Sequence, residues 1–152
     1  MEGVVGPADR MTAVKALVIS PDPELRRLLE VAIRTAERRT GAPWEYLEAS
    51  NGIYALKIAW RDRPDLVVAD EIASGAGAFA VARDLRGAAE PFPGAIVLVL
   101  ARAQDEWLAR WSGADAWVTK PVDPFELADI VERLVGTREE EPRERFAAKE
   151  TA

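Results

Sequence analysis

Short apolar runs and helical stripes take turns along this chain. Val14 to Ile19 is a run rich in β-branched residues and reads as a buried strand. Asp22-Pro23 then supplies a helix N-cap and a proline at the first helical position. Leu25, Leu28, Leu29, Ala32, Ile33 and Ala36 follow at the spacing of one helix face, and Gly41 closes that helix. Trp44 to Ala49 predicts a second strand and Asn51-Gly52 a turn. Ile53 to Arg61 predicts a second helix, carrying Leu56, Ala59 and Trp60, which Pro64 stops. Leu66 to Ala69 predicts a third strand ending at Asp70. A stretch of small residues follows, and Phe79 to Arg86 then reads as a helix. Pro91, Pro93 and Gly94 form a loop before Ile96 to Leu100, the most continuous apolar run and the expected central strand. Asp105 to Trp111 predicts a short helix closed by Gly113, and Ala116 to Thr119 a last strand broken by Lys120-Pro121. Pro124 opens a final helix with Leu127, Ile130, Val131, Leu134 and Val135 on one face and Gly136 at its end.

Five strands alternating with five helices imply an α/β doubly wound fold, a mostly parallel sheet with helices on both faces. In such sheets ligands bind beyond the carboxyl ends of the strands. Ser20-Pro21-Asp22 after the first strand, Asp70 at the end of the third and Lys120 at the end of the fifth all fall there. No internal repeat is visible. Gly75-Ala76-Gly77 follows a strand, but Ala80 replaces the third glycine of a dinucleotide fingerprint.

Outside this pattern, residues 1–12 read as a flexible leader with Met11 an alternative start, and 13–136 as the domain. Residues 137–152 carry five acids and four bases around a single large apolar side chain, Phe146. That stretch reads as a solvated, disordered tail, with a short docking helix over 143–149 as the alternative.

Composition narrows the chemistry. A chain of 152 residues is one domain's length. The hydrophobic share of 49% and charged share of 30% are those of an ordinary soluble protein. Cys and His are both absent, which removes disulfides, thiol nucleophiles, Cys/His zinc sites and histidine-based acid–base catalysis. The apolar runs are too short to span a bilayer and no signal peptide precedes them, so a cytoplasmic location is expected. A net charge of −6 argues against nonspecific nucleic-acid or membrane binding. Arg26, Arg27, Arg34, Arg38 and Arg39 interleave with Glu30 and Glu37 on the first helix, which reads as a solvated, salt-bridged face.

The segments Glu48-Ala49-Ser50-Asn51-Gly52 with Ala55-Leu56, Pro64-Asp65-Leu66-Val67-Val68-Ala69-Asp70, Gly113-Ala114-Asp115 and Lys120-Pro121 occur in order, each on the expected element. Over Ala16 to Val135 the chain resembles the receiver domain of two-component response regulators, the CheY-like fold. The resemblance implies a sheet in strand order 2-1-3-4-5. It also implies a phosphorylation switch, with a histidine kinase as donor, Mg²⁺ in the site, and a protein partner downstream. Asp70 matches the phospho-acceptor, Lys120 the ion-pairing lysine, and Trp117 the aromatic switch position.

Other positions depart from that pattern. Ser20 and Pro21 stand where the resemblance implies two metal-holding acids, and Asp22 lies one residue too far along, with a capping task of its own. Leu100 or Ala101 stands where a hydroxyl is implied, and the segment from there to Gly113 is about one helical turn shorter than the pattern. Mg²⁺ wants hard oxygens in an octahedron, and Asp70 is the one carboxylate the sequence places in the site. An acyl phosphate there would face Lys120 without the offsetting metal charge. The expected molecule is therefore an atypical receiver with no cofactor, or weakly bound Mg²⁺, and impaired Mg²⁺-dependent phosphorylation. It signals by protein contact rather than as an enzyme. The alternative is a working receiver phosphorylated at Asp70. Without phosphate, Asp70 and Lys120 read as a partly buried ion pair.

Glu71 reads as a solvated or loop carboxylate, since neighbours on a strand point to opposite faces. Trp60 reads as core. Trp107 and Trp111 share a helix face and, with Trp117, form either a partner or homodimer surface or packing that fills the shortened region. Too little sequence follows Val135 for a DNA-binding output domain in this chain.

Overall fold

The structure is a computed structural model that describes residues 13–71 and 77–140. The expected leader 1–12, the loop residues 72–76 and the stretch 141–152, with Phe146, lie outside the described residues.

Five parallel strands, β1 (Val14–Ile19), β2 (Trp44–Ala49), β3 (Leu66–Asp70), β4 (Ala95–Leu100) and β5 (Ala116–Thr119), form one sheet in the order β2-β1-β3-β4-β5. Five helices connect and cover it: α1 (Pro23–Thr40), α2 (Gly52–Asp62), α3 (Ala78–Arg86), α4 (Glu106–Ser112) and α5 (Pro124–Glu140). A 3₁₀ turn, Ala103–Asp105, leads into α4. Every residue of β3 and β4 is buried, which explains why those strands read as continuous apolar runs rather than as alternation.

Each face of the sheet has its own core. Leu17, Ile19, Val67, Ala69, Ile96 and Leu98 face α2, α3 and α4 through Ala55, Ile58, Val81, Leu85 and Ala109. The alternate residues Ala16, Val18, Val68, Val97 and Val99 face α1 and α5 through Leu29, Ile33, Leu127 and Val131. The sign change from one residue to the next is the period-2 pleat of a strand.

Helix ends follow local chemistry. The Asp22 carboxylate accepts the Glu24 N–H at 3.0 Å and Asn51 accepts the Tyr54 N–H at 2.8 Å. Gly41 ends α1 at φ 79°, where a side chain would be strained, and donates to the Glu37 carbonyl. Gly136 does not end the last helix, which continues to Glu140 and moves the expected boundary at 136 outward. A glycine stops a helix when it turns left-handed. Here it stays within the helix, and the residues after it are mostly good helix formers.

Trp60 is also not a core residue. It sits at the rim of α2, 37% exposed, with its ring edge-to-face on buried Phe92 at a centroid distance of 6.0 Å. A buried ion pair fastens the opposite end of the sheet. Arg86 on α3 donates to the Gly113, Phe92 and Gly94 carbonyls and pairs with Asp115, which accepts the Ile96 N–H at 2.8 Å.

Candidate functional site

Three chain segments deliver the candidate residues to one point at the carboxyl end of the sheet. β3 ends on Asp70, whose backbone is in register with Val99 of β4. β1 ends one residue before Ser20, whose N–H donates to the Ala49 carbonyl of β2 at 3.1 Å. β5 ends one residue before Lys120, whose N–H donates to the Leu100 carbonyl at 2.9 Å. The ladder thus continues one residue past β1 and β5, and those residues aim their side chains at Asp70.

Asp70 is fully buried, at 0% exposure. Its Oδ1 lies 3.0 Å from Lys120 Nζ, and its Oδ2 accepts a hydrogen bond from the Ser20 hydroxyl at 2.8 Å. The Lys120 side chain keeps 28% exposure, so its ammonium sits between the carboxylate and water. Ser20 is itself fully buried and also accepts the Asp22 N–H at 3.1 Å. A buried carboxylate is tolerable only when its oxygens meet donors, and Ser20 and Lys120 supply them from opposite sides.

Of the residues expected in the site, Asp70, Ser20 and Lys120 come together. Pro21 and Asp22 are exposed, with Asp22 spent on the α1 cap. Leu100 is buried and Ala101 exposed, and neither brings a hydroxyl. Among the described residues no group of three or more His, Cys, Asp or Glu is placed to hold a metal ion.

Glu71, expected as a solvated or loop carboxylate, is partly buried in the turn after β3. Its Oε2 accepts the Ala101 N–H at 2.9 Å, binding the end of β3 to the residue that follows β4. Its Oε1 is buried without a hydrogen-bond partner. Burial raises the Glu71 carboxyl above its ordinary value, and its contact with Asp105 raises it further. Asp105, receiving that bond, is lowered.

Arg26 is the residue that sequence reasoning missed. From α1 it reaches back to donate to the Ser20 carbonyl at 2.5 Å, and its Nε lies 3.4 Å from Glu48 Oε1 on β2. The first helix is therefore a solvated charged face only in part. Arg38 and Arg39 are exposed, whereas Arg26 and Glu30 turn towards β2.

The tryptophans divide. Trp107 is 66% exposed and Trp111 52%, on one side of α4. Arg83 stacks on the Trp111 ring at 4.9 Å. Trp117 packs against the core with Arg110 over its ring at 5.4 Å. Of the two readings of Trp107 and Trp111, packing that fills interior space does not fit their exposure: α4 buries only Ala109 and Ser112.

No family model matches the chain. It is 31% identical over 127 residues to an uncharacterized response regulatory protein of Mycobacterium tuberculosis, covering 84% of this chain and 95% of that one. It is 33% identical over 132 residues to the DNA-binding response regulator MtrA of Mycolicibacterium smegmatis, covering 86% of this chain and 54% of that longer protein. The fold matches the CheY-like receiver domain protein of Methanospirillum hungatei with a TM-score of 0.72 at 15% identity, over 86% of this chain and 99% of that one. It matches the receiver domain of the sensor histidine kinase PA1611 of Pseudomonas aeruginosa, a structure with magnesium coordinated in its active-site cleft. That match has a TM-score of 0.69 at 20% identity, over 82% and 99% of the two chains.

Proposed function

This chain belongs to the receiver family of two-component response regulators, and we propose that it is an atypical receiver in which Asp70 serves a closed ion-pair site and output runs through protein contact. One observation carries this reading. Both Asp70 oxygens are already engaged inside the fold, by the Ser20 hydroxyl at 2.8 Å and the Lys120 ammonium at 3.0 Å.

Mg²⁺ fits this donor set poorly. The metal takes oxygen ligands in a near-octahedral shell, usually with one or two carboxylates. Ser20 occupies the place of an acid and directs its hydroxyl at Asp70, the Pro21 side chain carries no ligand atom, and Asp22 caps α1. Glu71 is turned away to the Ala101 amide. A phosphoryl group on Asp70 would need to displace the Ser20 hydrogen bond and would meet Lys120 as its partner cation. The support therefore favours slow or absent Mg²⁺-dependent phosphorylation, and a signalling role rather than an enzymatic one.

The contact surface is assigned to α4 and β5, with Trp107 and Trp111 as exposed anchors and Trp117 behind them. Aromatic side chains of this kind are enriched at binding hot spots. The partner is a protein: a sensor histidine kinase, a downstream signalling protein, or a second copy of the chain. No helix among the described residues is long and apolar enough to cross a membrane, and a cytoplasmic location goes with this proposal.

The test is incubation with Mg²⁺ and acetyl phosphate followed by intact-mass measurement, alongside Mg²⁺ and beryllofluoride titration read by Trp117 fluorescence. The expected result is no adduct and no saturable response. A phosphoryl adduct on Asp70 that Asp70→Asn abolishes would establish the working receiver instead.

A further inference from the structure

Two buried carboxylate oxygens among the described residues have no hydrogen-bond partner, Glu71 Oε1 and Glu30 Oε2. Each belongs to an acid that faces a second acid. A carboxylate pair in that position repels itself unless one member carries a proton, which then bonds the other. The Glu30 case lies away from Asp70 and involves a different part of the sheet.

Trp44, Tyr46 and Glu48 share one face of β2, with Trp44 and Tyr46 packing into the core beneath α1 and α5. Glu48 is in register with Val18 of β1. Glu30 on α1, with its Oε2 buried, lies against Glu48, whose own side chain is 51% exposed. The charged and titratable groups around the pair are Arg26 and Arg34 from α1, Tyr46 from β2, and Tyr54 from α2. Tyr54, Arg26 and Glu48 line a cavity of about 220 Å³ open to solvent, which gives protons a route in and out. β1 offers only the apolar Val14, Ala16 and Val18 to this face. The α5 acids Asp129 and Glu132 are taken by Arg39.

The two cations do not both answer the two anions. Arg34 stacks on the Tyr46 ring at 4.2 Å. Arg26 pairs with Glu48 at 3.4 Å and spends another nitrogen on the Ser20 carbonyl. Glu30 Oε2 is left facing a carboxylate with no donor of its own.

We propose that Glu30 and Glu48 share one proton and so form a pH-responsive clasp between α1 and the edge strand β2, which Arg26 connects to the Ser20–Asp70 hydrogen bond. In the protonated state Glu30 donates its O–H to the Glu48 carboxylate, which Arg26 also holds. Loss of that proton to solvent leaves two anions across the seam. Among the described residues β2 has a strand neighbour on one side only, so it can yield, and Arg26 is free to follow Glu48 away from Ser20. Burial, reinforced by the bond to Glu48 and its charge, supports this by raising the Glu30 carboxyl from 4.5 to about 7. Glu48, stabilised as the acceptor of the Glu30 proton and by Arg26, is lowered. The inference stands whether or not Asp70 is phosphorylated.

The sign follows from linkage. Between 4.5 and about 7 the folded chain binds a proton that the unfolded chain does not, so this contribution to stability is full below the lower value and is lost as pH rises through the upper one.

The experiment is an NMR titration of the full chain, following Glu side-chain carboxyl carbons and the Ser20 amide together, in wild type, Glu30→Gln and Glu48→Gln. We expect Glu30 to titrate near pH 7 and the Ser20 amide to shift with the same midpoint. Glu30→Gln, an uncharged mimic of the protonated acid, should fold and lose the neutral-pH step at Ser20. Glu48→Gln should move the Glu30 midpoint down. A Glu30 midpoint in the ordinary carboxylate range overturns the proposal, as does a neutral-pH step at Ser20 that persists in Glu30→Gln. If either variant fails to fold, the wild-type midpoints of Glu30 and Ser20 decide alone.

Discussion

Replacing Lys120 with Met tests whether the Asp70 site is a structural ion pair. Asp70 is fully buried and its two oxygens are met by Lys120 and Ser20. Lys120→Met keeps the stem and removes the charge, taking the cation away from a buried carboxylate. Removing one member of a buried pair costs about 3–5 kcal/mol, because the other is left uncompensated. The Lys120 side chain is 28% exposed, so water reaches the gap and places the expected loss at the low end, about 3 kcal/mol. For a chain near this length that corresponds to a fall in Tm of roughly 6–12 °C. The discriminating partner is the double variant Asp70→Asn with Lys120→Met. Removing the buried negative charge as well returns part of the lost stability, so the double variant should be the more stable by about 1–2 kcal/mol, while Ser20 keeps an acceptor. Urea unfolding at neutral pH, followed by Trp fluorescence, measures both. Should Lys120→Met cost less than about 1 kcal/mol, or the double variant unfold as readily as the single, the pair is not the structural element argued above.

Two further outcomes follow from other parts of the molecule. Trp107→Ala with Trp111→Ala should change stability by less than about 1 kcal/mol, since both side chains are largely exposed, yet abolish any self-association. Acrylamide quenching checks this: it should be strong in the monomer and relieved on association, and protection in the monomer would contradict it. At the edge of the sheet, burial opposes ionisation of Glu37, but bonds from the Tyr46 hydroxyl at 2.7 Å and the Trp44 N–H at 2.9 Å outweigh it and lower the carboxyl. Stability from this group is full above 4.5 and is lost as pH falls through the lower folded value, so the gap between wild type and Tyr46→Phe in thermal melts should narrow below pH 4.5.

What was legible in the sequence depended on how far apart the determining residues lie. Strands and helices rest on local periodicity, and their order follows from alternation and the handedness of crossovers. Asp70 and Lys120 were legible for the same reason, since each ends or follows a strand and so falls at the ligand edge. The Ser20–Asp70 bond was not, because it joins residues 50 apart and depends on where β1 stops relative to β3. For Glu71 the alternation rule kept the residue off the Asp70 side but did not give its partner. Its backbone does alternate with Asp70, but its side chain is long enough to turn back to the Ala101 amide, which had no partner in the sheet. The shared face of Trp107 and Trp111 was readable from a spacing of four, but spacing alone does not say which side of α4 the sheet occupies.

The Glu30–Glu48 pair shows that a missed site can still leave a signal. Alternating charges on α1 average to a solvated face only if each helical turn meets water, and α1 crosses an edge strand. Reading β2 with a period of two puts Trp44, Tyr46 and Glu48 on one side, with burial falling along it from buried Trp44 through half-buried Tyr46 to exposed Glu48 at the rim. At that rim the buried oxygen of Glu30 lies against Glu48 and needs a cation or a proton. Arg26, four residues before Glu30 on the same helix, is a cation within reach of Glu48, but it is already shared with Ser20. The residual demand for a proton is therefore written in the pleat of β2 and the helical spacing of α1 taken together, and in neither element alone.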